Sequence, residues 1–405
     1  MISNDFNDLG LSGPLVNVLS KTGITTPTEV QTKTIPPALA GRDIMASAET
    51  GSGKTAAFLL PIIERLKRPG QLRALVLVPT RELALQIEDT AKLYSRPRRL
   101  RVVSVVGGQN IDRQMRALAA GADILIATPG RLNDLIDRRA VKLGSIEILV
   151  LDEADRMLDM GFLPQVRSII KHLPKERQTM LLTATLSRDV EKLARESMVK
   201  YVRVEAARSA TTVATLTQTV YPVLSHAKTP MLLALLKEHK TSSFLVFTQT
   251  KRGADRVSQV LEANRLSVAI LHSGRSQSQR NSALASFRSG QSRVLVATDV
   301  AARGIDVDNI AYVINYDVPS TAEDYIHRVG RTARAGQSGF AFTFVSPEEE
   351  PTLAMIERMA GVTLERSRLK GFSDGRSDEQ IKLASEIARL GRPSSRSFSS
   401  NRAWR

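Results

Sequence analysis

The sequence predicts an α/β protein with two domains, each a parallel β-sheet covered by helices on both faces. Three observations support this. The chain has 405 residues, which is too long for one hydrophobic core. Short apolar runs alternate with amphipathic helical stretches, as in parallel sheets whose strands are buried on both faces. The same alternation then repeats in the second half, after a short polar segment.

In the first half, short apolar runs predict five buried strands separated by helices. The predicted strands are Leu72–Val78, Arg101–Val106, Asp123–Ala127, Ile146–Leu151 and Gln178–Leu182. The helices predicted between them include Arg81–Tyr94, Arg113–Ala120 and Leu163–His172. We assign residues 1–205 to this domain. Residues 206–215 are small and polar without a clear period, which predicts a flexible linker.

The second half repeats the pattern over residues 216–365. Its predicted strands are Ser243–Phe247, Ser267–Leu271, Ser292–Ala297, Ala311–Tyr316 and Gly339–Val345. Its predicted helices are Thr229–His239, Arg252–Asn264 and Gln277–Ser286. Residues 366–405 form a polar tail whose last fourteen residues hold four arginines and no acid. This composition predicts a basic, largely disordered tail, with one amphipathic helix possible at Ser377–Leu390.

The amino-acid composition indicates which kind of molecule the protein binds and in which cellular compartment it works. A formal charge of +16 and a pI of about 10.3 favour a polyanionic partner, although a basic protein without one remains the alternative. The absence of cysteine excludes disulfides, thiolate zinc sites and a cysteine nucleophile. Five scattered histidines show no ligand spacing. With no apparent signal peptide or membrane span, we expect a cytoplasmic protein.

Two motifs predict NTP hydrolysis. The segment 48–55, AETGSGKT, is a phosphate-binding loop: its glycines turn backbone N–H groups toward a polyphosphate, Lys54 meets the terminal phosphates and the Thr55 hydroxyl reaches Mg²⁺. Downstream, a buried strand ends on the acids of Asp152-Glu153-Ala154-Asp155, which can complete a metal site and position a water. A helix N-cap is the alternative for Asp155. Because the second half has no such loop, we expect the nucleotide between the two domains.

Together with further motifs in order, these segments resemble the DEAD-box RNA helicases of superfamily 2 over about residues 6–345. The further motifs are Phe6 with Gly23–Gln31, the tripeptide Thr183-Ala184-Thr185 and the run His327–Arg334. The segment 154–162, ADRMLDMGF, and the short basic tail are most similar to the bacterial RhlE-like branch. The resemblance implies two RecA-like domains and an ATP-dependent RNA helicase.

The resemblance also implies which residues bind ATP and Mg²⁺. The amide of Gln31 would read adenine, which favours ATP over GTP; Phe6 would pack near the base, although its residue pattern alone favours a hydrophobic staple. Asp152 and Thr55 would hold Mg²⁺, partly through water, and Glu153 would orient and deprotonate the attacking water. Arginine fingers would come from Arg331 and Arg334. The implied nucleotide-binding residues are Phe6, Gln31, Thr50, Gly51, Ser52, Gly53, Lys54, Thr55 and, at the ribose, Asp306.

RNA contacts and their coupling to ATP follow from the same resemblance. A hydrogen-bond network would join Asp155, Thr183, Thr185 and His327, with Thr183 replacing the usual Ser. The implied RNA-binding residues are Thr80, Arg81, Gly107, Gly108, Thr128, Gly130, Arg131, Gln277, Arg280 and Thr298. Ser273 and Ala333 stand where Gly is frequent, and we interpret the second replacement as minor. Contacts to the RNA backbone imply little sequence preference.

The expected activity is ATP hydrolysis on RNA-driven closure of the two lobes, with local unwinding of short duplexes or remodelling of RNA–protein complexes. Three alternatives remain open: an ATP-gated RNA clamp, a passive RNA-annealing protein and a DNA translocase. Ribosomal precursors or a decay complex are possible partners, and a monomer is the default. The run 96–101, RPRRLR, is either an additional RNA patch or a solvated surface.

Overall fold

The computed structural model describes residues 5–48, 51–206, 216–299, 310–333 and 338–374. These residues form two compact units, the first ending at residue 206 of the described chain and the second beginning at residue 216. Residues 207–215 of the predicted linker and residues 375–405 of the predicted tail lie outside the described ranges. No helix within those ranges has the length and apolar character needed to cross a membrane.

The first unit contains a sheet of seven strands, and every pair of neighbours in it is parallel. The strands are β1 (Ile44–Ser47), β2 (Ala74–Leu77), β3 (Val102–Val105), β4 (Ile124–Ala127), β5 (Ile148–Leu151), β6 (Gln178–Thr183) and β7 (Val202–Glu205). Their order across the sheet is β3-β4-β2-β5-β6-β1-β7. All seven strands therefore end at the same edge of the sheet.

Helices cover both faces of this sheet. They are α1 (Gly13–Lys21), α2 (Glu29–Leu39), α3 (Lys54–Leu66), α4 (Arg81–Ser95), α5 (Ile111–Ala119), α6 (Pro129–Asp137), α7 (Ala154–Asp159), α8 (Leu163–Ile170) and α9 (Arg188–Ser197). Alternate residues of one strand enter two different cores: Val76 belongs to one, and Leu75 and Leu77 belong to the other. Burial on both faces is why β2 and β4 read as continuous apolar runs.

The second unit repeats the topology of the first. Its strands are β8 (Leu216–Pro222), β9 (Phe244–Thr248), β10 (Val268–Leu271), β11 (Val294–Thr298), β12 (Tyr312–Asn315), β13 (Gly339–Val345) and β14 (Glu365–Arg366). Their order, β10-β11-β9-β12-β13-β8-β14, is that of the first sheet with each label raised by seven. The described helices of this unit are α10 (Lys228–Glu238), α11 (Lys251–Ala263), α12 (Gln277–Arg288), α13 (Ala322–Val329) and α14 (Glu350–Ala360).

The ten predicted strands are confirmed to within three residues at each end, but four strands were missed. The missed strands are β1, β7, β8 and β14, which lie side by side at the same end of each sheet order. Strand β14 has two residues, too short for a pattern, and β1 (Ile-Met-Ala-Ser) has one β-branched residue and ends in residues that do not favour strands. Strand β7 is mostly exposed, and β8 carries polar residues and ends at Pro222. Their strand character depends on pairing with distant segments, which local sequence does not encode.

Residues 366–374, which the sequence assigned to the tail, pack on the second unit instead. Arg366 forms ion pairs with Glu350 at 2.7 Å and with Glu357 at 2.5 Å. Leu369 is buried in the core of the unit, and the Asp374 carboxylate accepts a hydrogen bond from the backbone N–H of Leu224 at 3.0 Å. The polar composition of this segment suggested a disordered tail, but the side chains of Arg366 and Asp374 are bonded to other residues of the unit.

Candidate ATP site and RNA-facing loops

The parallel topology gathers the predicted site residues of the first unit at one edge of its sheet. The phosphate loop follows β1, and Thr80 and Arg81 follow β2. The pair Gly107-Gly108 follows β3. Three further segments follow the next strands of the sheet: Thr128–Arg131 after β4, Asp152–Asp155 after β5 and Thr183–Thr185 at the end of β6. Ligands of open α/β sheets bind outside the carboxyl ends of the strands, so this edge is the candidate site.

The phosphate loop leads directly into helix α3. Gly51 and Gly53 have φ angles of 86° and 91°, a left-handed conformation that suits glycine. Lys54 is the first residue of α3, and its Nζ donates a hydrogen bond to the backbone oxygen of Ala48 at 2.6 Å. The loop thus combines a helix N-terminus with a buried ammonium group, which together suit a phosphate. Thr50 lies outside the described residues.

Gln31 is tied to the phosphate loop. Its Oε1 accepts from the backbone N–H of Thr28 at 2.9 Å, and its Nε2 donates to the backbone oxygen of Gly53 at 3.1 Å. A Cβ atom on Gly53 would overlap Nε2 of Gln31, so this approach requires glycine. Phe6 is buried in the core of the unit, with 1% exposure. The roles of both residues toward adenine stay predictions.

Asp152 and Glu153 form a strained acidic pair after β5. Burial raises the pKa of the Asp152 carboxyl to about 7, although the charge of Lys54 partly offsets this effect. Glu153 adopts φ 51° and ψ 52°, a left-handed conformation uncommon for a residue other than glycine. Its Oε2 accepts a hydrogen bond from Nη1 of Arg156 at 2.9 Å. The residue pattern missed this buried arginine, although its spacing of three residues from Glu153 on a helix was a usable signal.

The residues at this edge fit a magnesium ion shared with a phosphate. Within the described part of the chain, no group of three or more His, Cys, Asp and Glu residues could hold a metal by itself. Mg²⁺ keeps several waters and takes one or two carboxylates plus substrate phosphates. Asp152 is a buried carboxylate whose charge is disfavoured by burial, and a divalent cation would offset that cost. A hydroxyl such as that of Thr55 completes a suitable donor set.

Asp155, in the first turn of helix α7, connects that helix to the segment after β6 through hydrogen bonds. Its Oδ2 accepts hydrogen bonds from the backbone N–H of Ala184 at 3.0 Å and from the N–H and hydroxyl of Thr185 at 2.8 and 3.0 Å. The hydroxyl of Thr183 donates to the backbone oxygen of Thr185 at 2.7 Å. Three residues of the predicted coupling network are thus in contact, while His327 belongs to the second unit.

Arg81 covers the glycine pair after β3. A Cβ atom on Gly107 would lie 3.2 Å from Nη2 of Arg81, and one on Gly108 would overlap its guanidinium. Gly108 also has a φ angle of 72°, which favours glycine. Thr80 caps helix α4, since its hydroxyl accepts from the backbone N–H of Leu83 at 3.4 Å. Three predicted RNA-binding residues, Arg81, Gly107 and Gly108, therefore lie together, while Thr80 is buried at the start of α4.

Arg131 extends this surface toward the end of β4. Its Nη1 and Nη2 each donate to the backbone oxygen of Gln109 at 3.2 Å, and Nη1 donates to Oε1 of Gln114 at 3.0 Å. Burial lowers the pKa of the Arg131 guanidinium, Asp134 counteracts this, and the nearby positive charge of Arg81 lowers it further. Thr128 immediately precedes α6, and Gly130 lies in its first turn with open space around it. Gln114, which the sequence did not indicate, supports the arginine.

In the second unit, the corresponding edge gathers Thr298, Gln277 and Arg280. Thr298 ends β11 and is aligned with Thr248 at the end of β9. Gln277 and Arg280 lie in the first turn of α12, which Ser276 caps through a hydrogen bond from the backbone N–H of Gln279 at 3.3 Å. Helix N-termini favour anions, as the predicted RNA contacts require.

The helix that precedes Arg331, α13, is anchored by the buried Arg328. Arg328 is 1% exposed and donates to both carboxylate oxygens of Asp299, at 2.6 and 2.7 Å. It also donates to Asn315 at 3.2 Å and to the backbone oxygen of Asp317 at 2.7 Å. Arg331 is buried and its Nε donates to the backbone oxygen of His327 at 3.3 Å. Arg334 and Asp306 lie outside the described residues.

Ala333, which stands where Gly is frequent, lies in a strained backbone conformation, and its minor weight for function stays a prediction. Ala333 has a φ angle of 55°, in the left-handed region. An L-residue with a side chain costs about 1–2 kcal/mol there, whereas glycine does not. Ser273, the other replacement, is exposed in the loop between β10 and α12.

Comparison with known proteins identifies the family. Residues 28–193 match the DEAD/DEAH box helicase family, and residues 227–336 match the helicase conserved C-terminal domain. The chain is 41% identical over 391 residues to the RNA helicase CrhR of Synechocystis sp., covering 95% of this chain and 79% of that protein. It is 37% identical over 364 residues to the DEAD-box ATP-dependent RNA helicase CshA of Bacillus subtilis, covering 90% and 74%.

Solved structures agree with these matches. Dbp5 of S. cerevisiae bound to RNA and ADP BeF3 is similar with a TM-score of 0.80 at 28% identity, covering 95% of this chain and 100% of that one. Mss116p bound to ssRNA and AMP-PNP gives 0.82 at 28% identity, covering 95% and 81%. The narrower assignment to the RhlE-like branch stays a prediction. The chain belongs to the DEAD-box family of ATP-dependent RNA helicases, which are RNA-dependent ATPases with two RecA-like domains.

Proposed function

We propose that this chain hydrolyses ATP with Lys54, Asp152 and Glu153 as the central residues of the first unit. The observation that carries the proposal is that the phosphate loop with buried Lys54 and the buried carboxylate of Asp152 lie at the same edge of the parallel sheet. The backbone of residues 51–53, with Thr50, and the Lys54 ammonium bind the phosphates. Gln31, Phe6 and Asp306 contact the adenosine. Thr55 and Asp152 hold Mg²⁺, which neutralises phosphate charge.

In this proposal Glu153 is the general base. Its carboxylate orients the attacking water and removes a proton from it, a contribution typically worth about 10²–10⁴ in rate. The hydrogen bond from Arg156 at 2.9 Å holds that carboxylate in place. The left-handed backbone of Glu153 supports the same role, because strained residues concentrate at active sites.

The second unit contributes the charge that completes hydrolysis. Arg331 and Arg334 stabilise the γ-phosphate in the transition state, and such arginines are worth about 10³–10⁵ in rate. They act only when RNA and ATP are both bound, so ATP hydrolysis depends on RNA. Asp155, Thr183, Thr185 and His327 transmit the state of the nucleotide to the RNA-binding residues.

RNA is held through its backbone at the carboxyl edges of both sheets. Arg81, Arg131 and Arg280 supply positive charge, and the glycines and threonines at the helix N-termini let backbone N–H groups approach phosphates. Such contacts unwind short duplexes locally or remodel RNA–protein complexes, for example ribosomal precursors or a decay complex. We propose that the chain does this as a cytoplasmic monomer.

Steady-state ATP hydrolysis with and without RNA tests the proposal. We expect RNA to stimulate hydrolysis of ATP but not of GTP, and Glu153→Gln to lower the stimulated rate by at least about 10². Equal stimulation by DNA would instead support a DNA translocase. RNA annealing that persists in Lys54→Ala without any stimulated hydrolysis would support a passive annealing protein.

A further inference from the structure

Two cationic loops lie at the edge of the first sheet opposite the phosphate loop. Loop A, residues 67–73, precedes β2, and loop B, residues 96–101, precedes β3. Loop A contains three Lys and Arg residues and loop B contains four, and neither contains an acid. They lie at the amino ends of parallel strands, whereas Arg81 and Arg131 follow the carboxyl ends. The ATP and RNA sites described above therefore do not use these loops.

A buried carboxylate joins the two loops. Asp123 Oδ1 accepts from the backbone N–H of Gly70 in loop A at 2.6 Å, and Oδ2 accepts from the backbone N–H of Arg101 in loop B at 2.7 Å. The Asp123 side chain has no exposed area, and Arg73 of loop A lies 3.8 Å from it. Asp123 thus orders the backbones of both loops and itself presents no negative charge to solvent.

Five cations of these loops face solvent without an acidic partner. They are Lys67, Arg68, Arg96, Arg99 and Arg101, all exposed. Arg98 of loop B differs, because it is paired with Glu64 at 2.7 Å. Within the described ranges, no acidic side chain forms an ion pair with any of the five. Like charges on two loops that share one carboxylate repel one another, so the surface has affinity for an anion.

The fold alone does not require so much positive charge. A cation near a helix C-terminus is stabilised by about 0.3–1 kcal/mol, and this effect falls off within the last turn. It can account for Lys67 and Arg96, which follow α3 and α4, and for Arg101, whose guanidinium donates a hydrogen bond to a backbone oxygen at the end of α5. It does not account for Arg99. Lys67 and Arg99 moreover both have φ angles of 53°. Glycine would avoid the cost of about 1–2 kcal/mol for each left-handed residue.

We propose that loops A and B form a second RNA-binding surface, which holds the phosphates of RNA that extends beyond the main site. The proposal rests on the family membership that makes this chain an RNA-binding protein. RNA held at the carboxyl edge is tethered, so its flanking segment has a high local concentration at the opposite edge. Strand β2 has four residues and spans about 13 Å, so only RNA longer than the main site reaches both edges.

Arginine side chains on irregular loops, with no aromatic residue between them, contact phosphates without reading bases. Binding at this surface is therefore independent of sequence and sensitive to salt. Its effect is to increase the affinity for long or structured RNA while leaving ATP hydrolysis on a short strand unchanged.

Fluorescence anisotropy of the full chain with two oligouridines, of about 10 and about 40 nucleotides, tests the proposal. The variant Arg68→Gln/Arg96→Gln/Arg99→Asn removes three exposed charges, with Asn chosen because it tolerates the left-handed backbone. Its matched control, Lys171→Gln/Lys192→Gln/Lys237→Gln, removes three exposed charges elsewhere, one directly after α8 and two within helices.

We expect the loop variant to bind the long RNA at least about tenfold more weakly than the control, with a slope of log affinity against log salt reduced by about 2, or about 0.7 for each lost phosphate contact. Affinity for the short RNA and the ATPase rate that it stimulates should equal those of the control. Long-RNA affinity and salt slope equal to the control would overturn the proposal, and so would an equal loss for both RNAs. Absence of RNA-stimulated hydrolysis in the unmodified protein would count against the proposed function and leave this test unaffected.

Discussion

Thr185 donates two hydrogen bonds to a single oxygen of Asp155, from its backbone N–H at 2.8 Å and from its hydroxyl at 3.0 Å. With the N–H of Ala184 also bound there at 3.0 Å, one carboxylate oxygen holds the segment after β6 to the start of α7. Helix α7 begins immediately after Glu153. The proposed general base thus lies two residues before the carboxylate that holds the Thr183–Thr185 segment.

Replacing Thr185 with Val should weaken this connection without changing the side-chain shape. A hydrogen bond to a charged group is worth about 1.5–3 kcal/mol, so urea unfolding should show a loss of stability of about that size. Thr217→Val, at an exposed position of β8, serves as the control. Equal losses of unfolding free energy in the two variants would mean that the hydrogen bond from the Thr185 hydroxyl does not stabilise the protein.

Asp152 should make the nucleotide-free protein less stable as the pH rises. Burial raises its pKa from 3.8 in the unfolded chain to about 7 in the folded protein. Between these values the folded protein holds a proton that the unfolded chain has lost, so stability falls from about pH 4 to about pH 7. The stability advantage of Asp152→Asn over the unmodified protein should therefore widen across this range and stay constant above pH 7.

Chemical unfolding at a series of pH values, with no nucleotide or divalent cation, checks this expectation. An advantage of Asp152→Asn that is independent of pH would show that Asp152 is ionised throughout. Adding ATP and Mg²⁺ should remove the advantage, because the cation favours the ionised carboxylate.

Gly108→Ala should impair RNA stimulation by displacing Arg81. The new methyl group would overlap the Arg81 guanidinium, and the φ angle of 72° adds strain of about 1–2 kcal/mol. We expect a several-fold higher RNA concentration for half-maximal ATPase stimulation, with the KM for ATP unchanged. Gly144→Ala is the control, since a methyl group there meets nothing within 4 Å. If Gly108→Ala and Gly144→Ala require the same RNA concentration for half-maximal stimulation, the position of Arg81 does not matter for RNA binding.

His272 should position the loop that precedes Gln277 and Arg280. Its Nδ1 accepts from the backbone N–H of Gly274 and its Nε2 contacts Oδ1 of Asp255, both at 3.1 Å. Asn can place an acceptor near the position of Nδ1, whereas Gln places its amide near Nε2. We therefore expect His272→Asn to retain RNA affinity and His272→Gln to lose it several-fold in a binding titration. If His272→Gln retains RNA affinity and His272→Asn loses it, the contact with Asp255 positions the loop instead.

Arg328→Met should destabilise the second unit, because Asp299 would keep a partly buried charge without its partner. Breaking a buried ion pair costs about 3–5 kcal/mol, and the partial exposure of Asp299 places the expected loss near the lower value. Arg256→Met, at an exposed position, should change stability by less than about 0.5 kcal/mol. Urea unfolding of both variants measures the difference, and similar stabilities would show that Asp299 is hydrated when Arg328 is lost.

Local patterns were enough to predict the buried strands and the motifs. The run Ile148–Leu151 is apolar because both of its faces are covered, so its strand character is visible without its neighbours. The same patterns failed for β1, although it lies between β6 and β7 inside the sheet, because Ile44 is its single β-branched residue and its last two residues are Ala and Ser. Residues 366–374, which the polar composition assigned to the tail, similarly belong to the second unit, where Arg366 is held by ion pairs.

The sequence by itself determined the α/β class, the two-domain repeat, the family and the identity of the residues in the phosphate loop and after β5, because these depend on residue type and short-range spacing. Only the tertiary structure decided the strand order, the support of Glu153 by Arg156, the position of Arg81 over Gly108 and the joining of loops A and B by Asp123. Strand order decides which loops become neighbours across tens of residues of chain. That choice follows from packing the whole core, which no local pattern records.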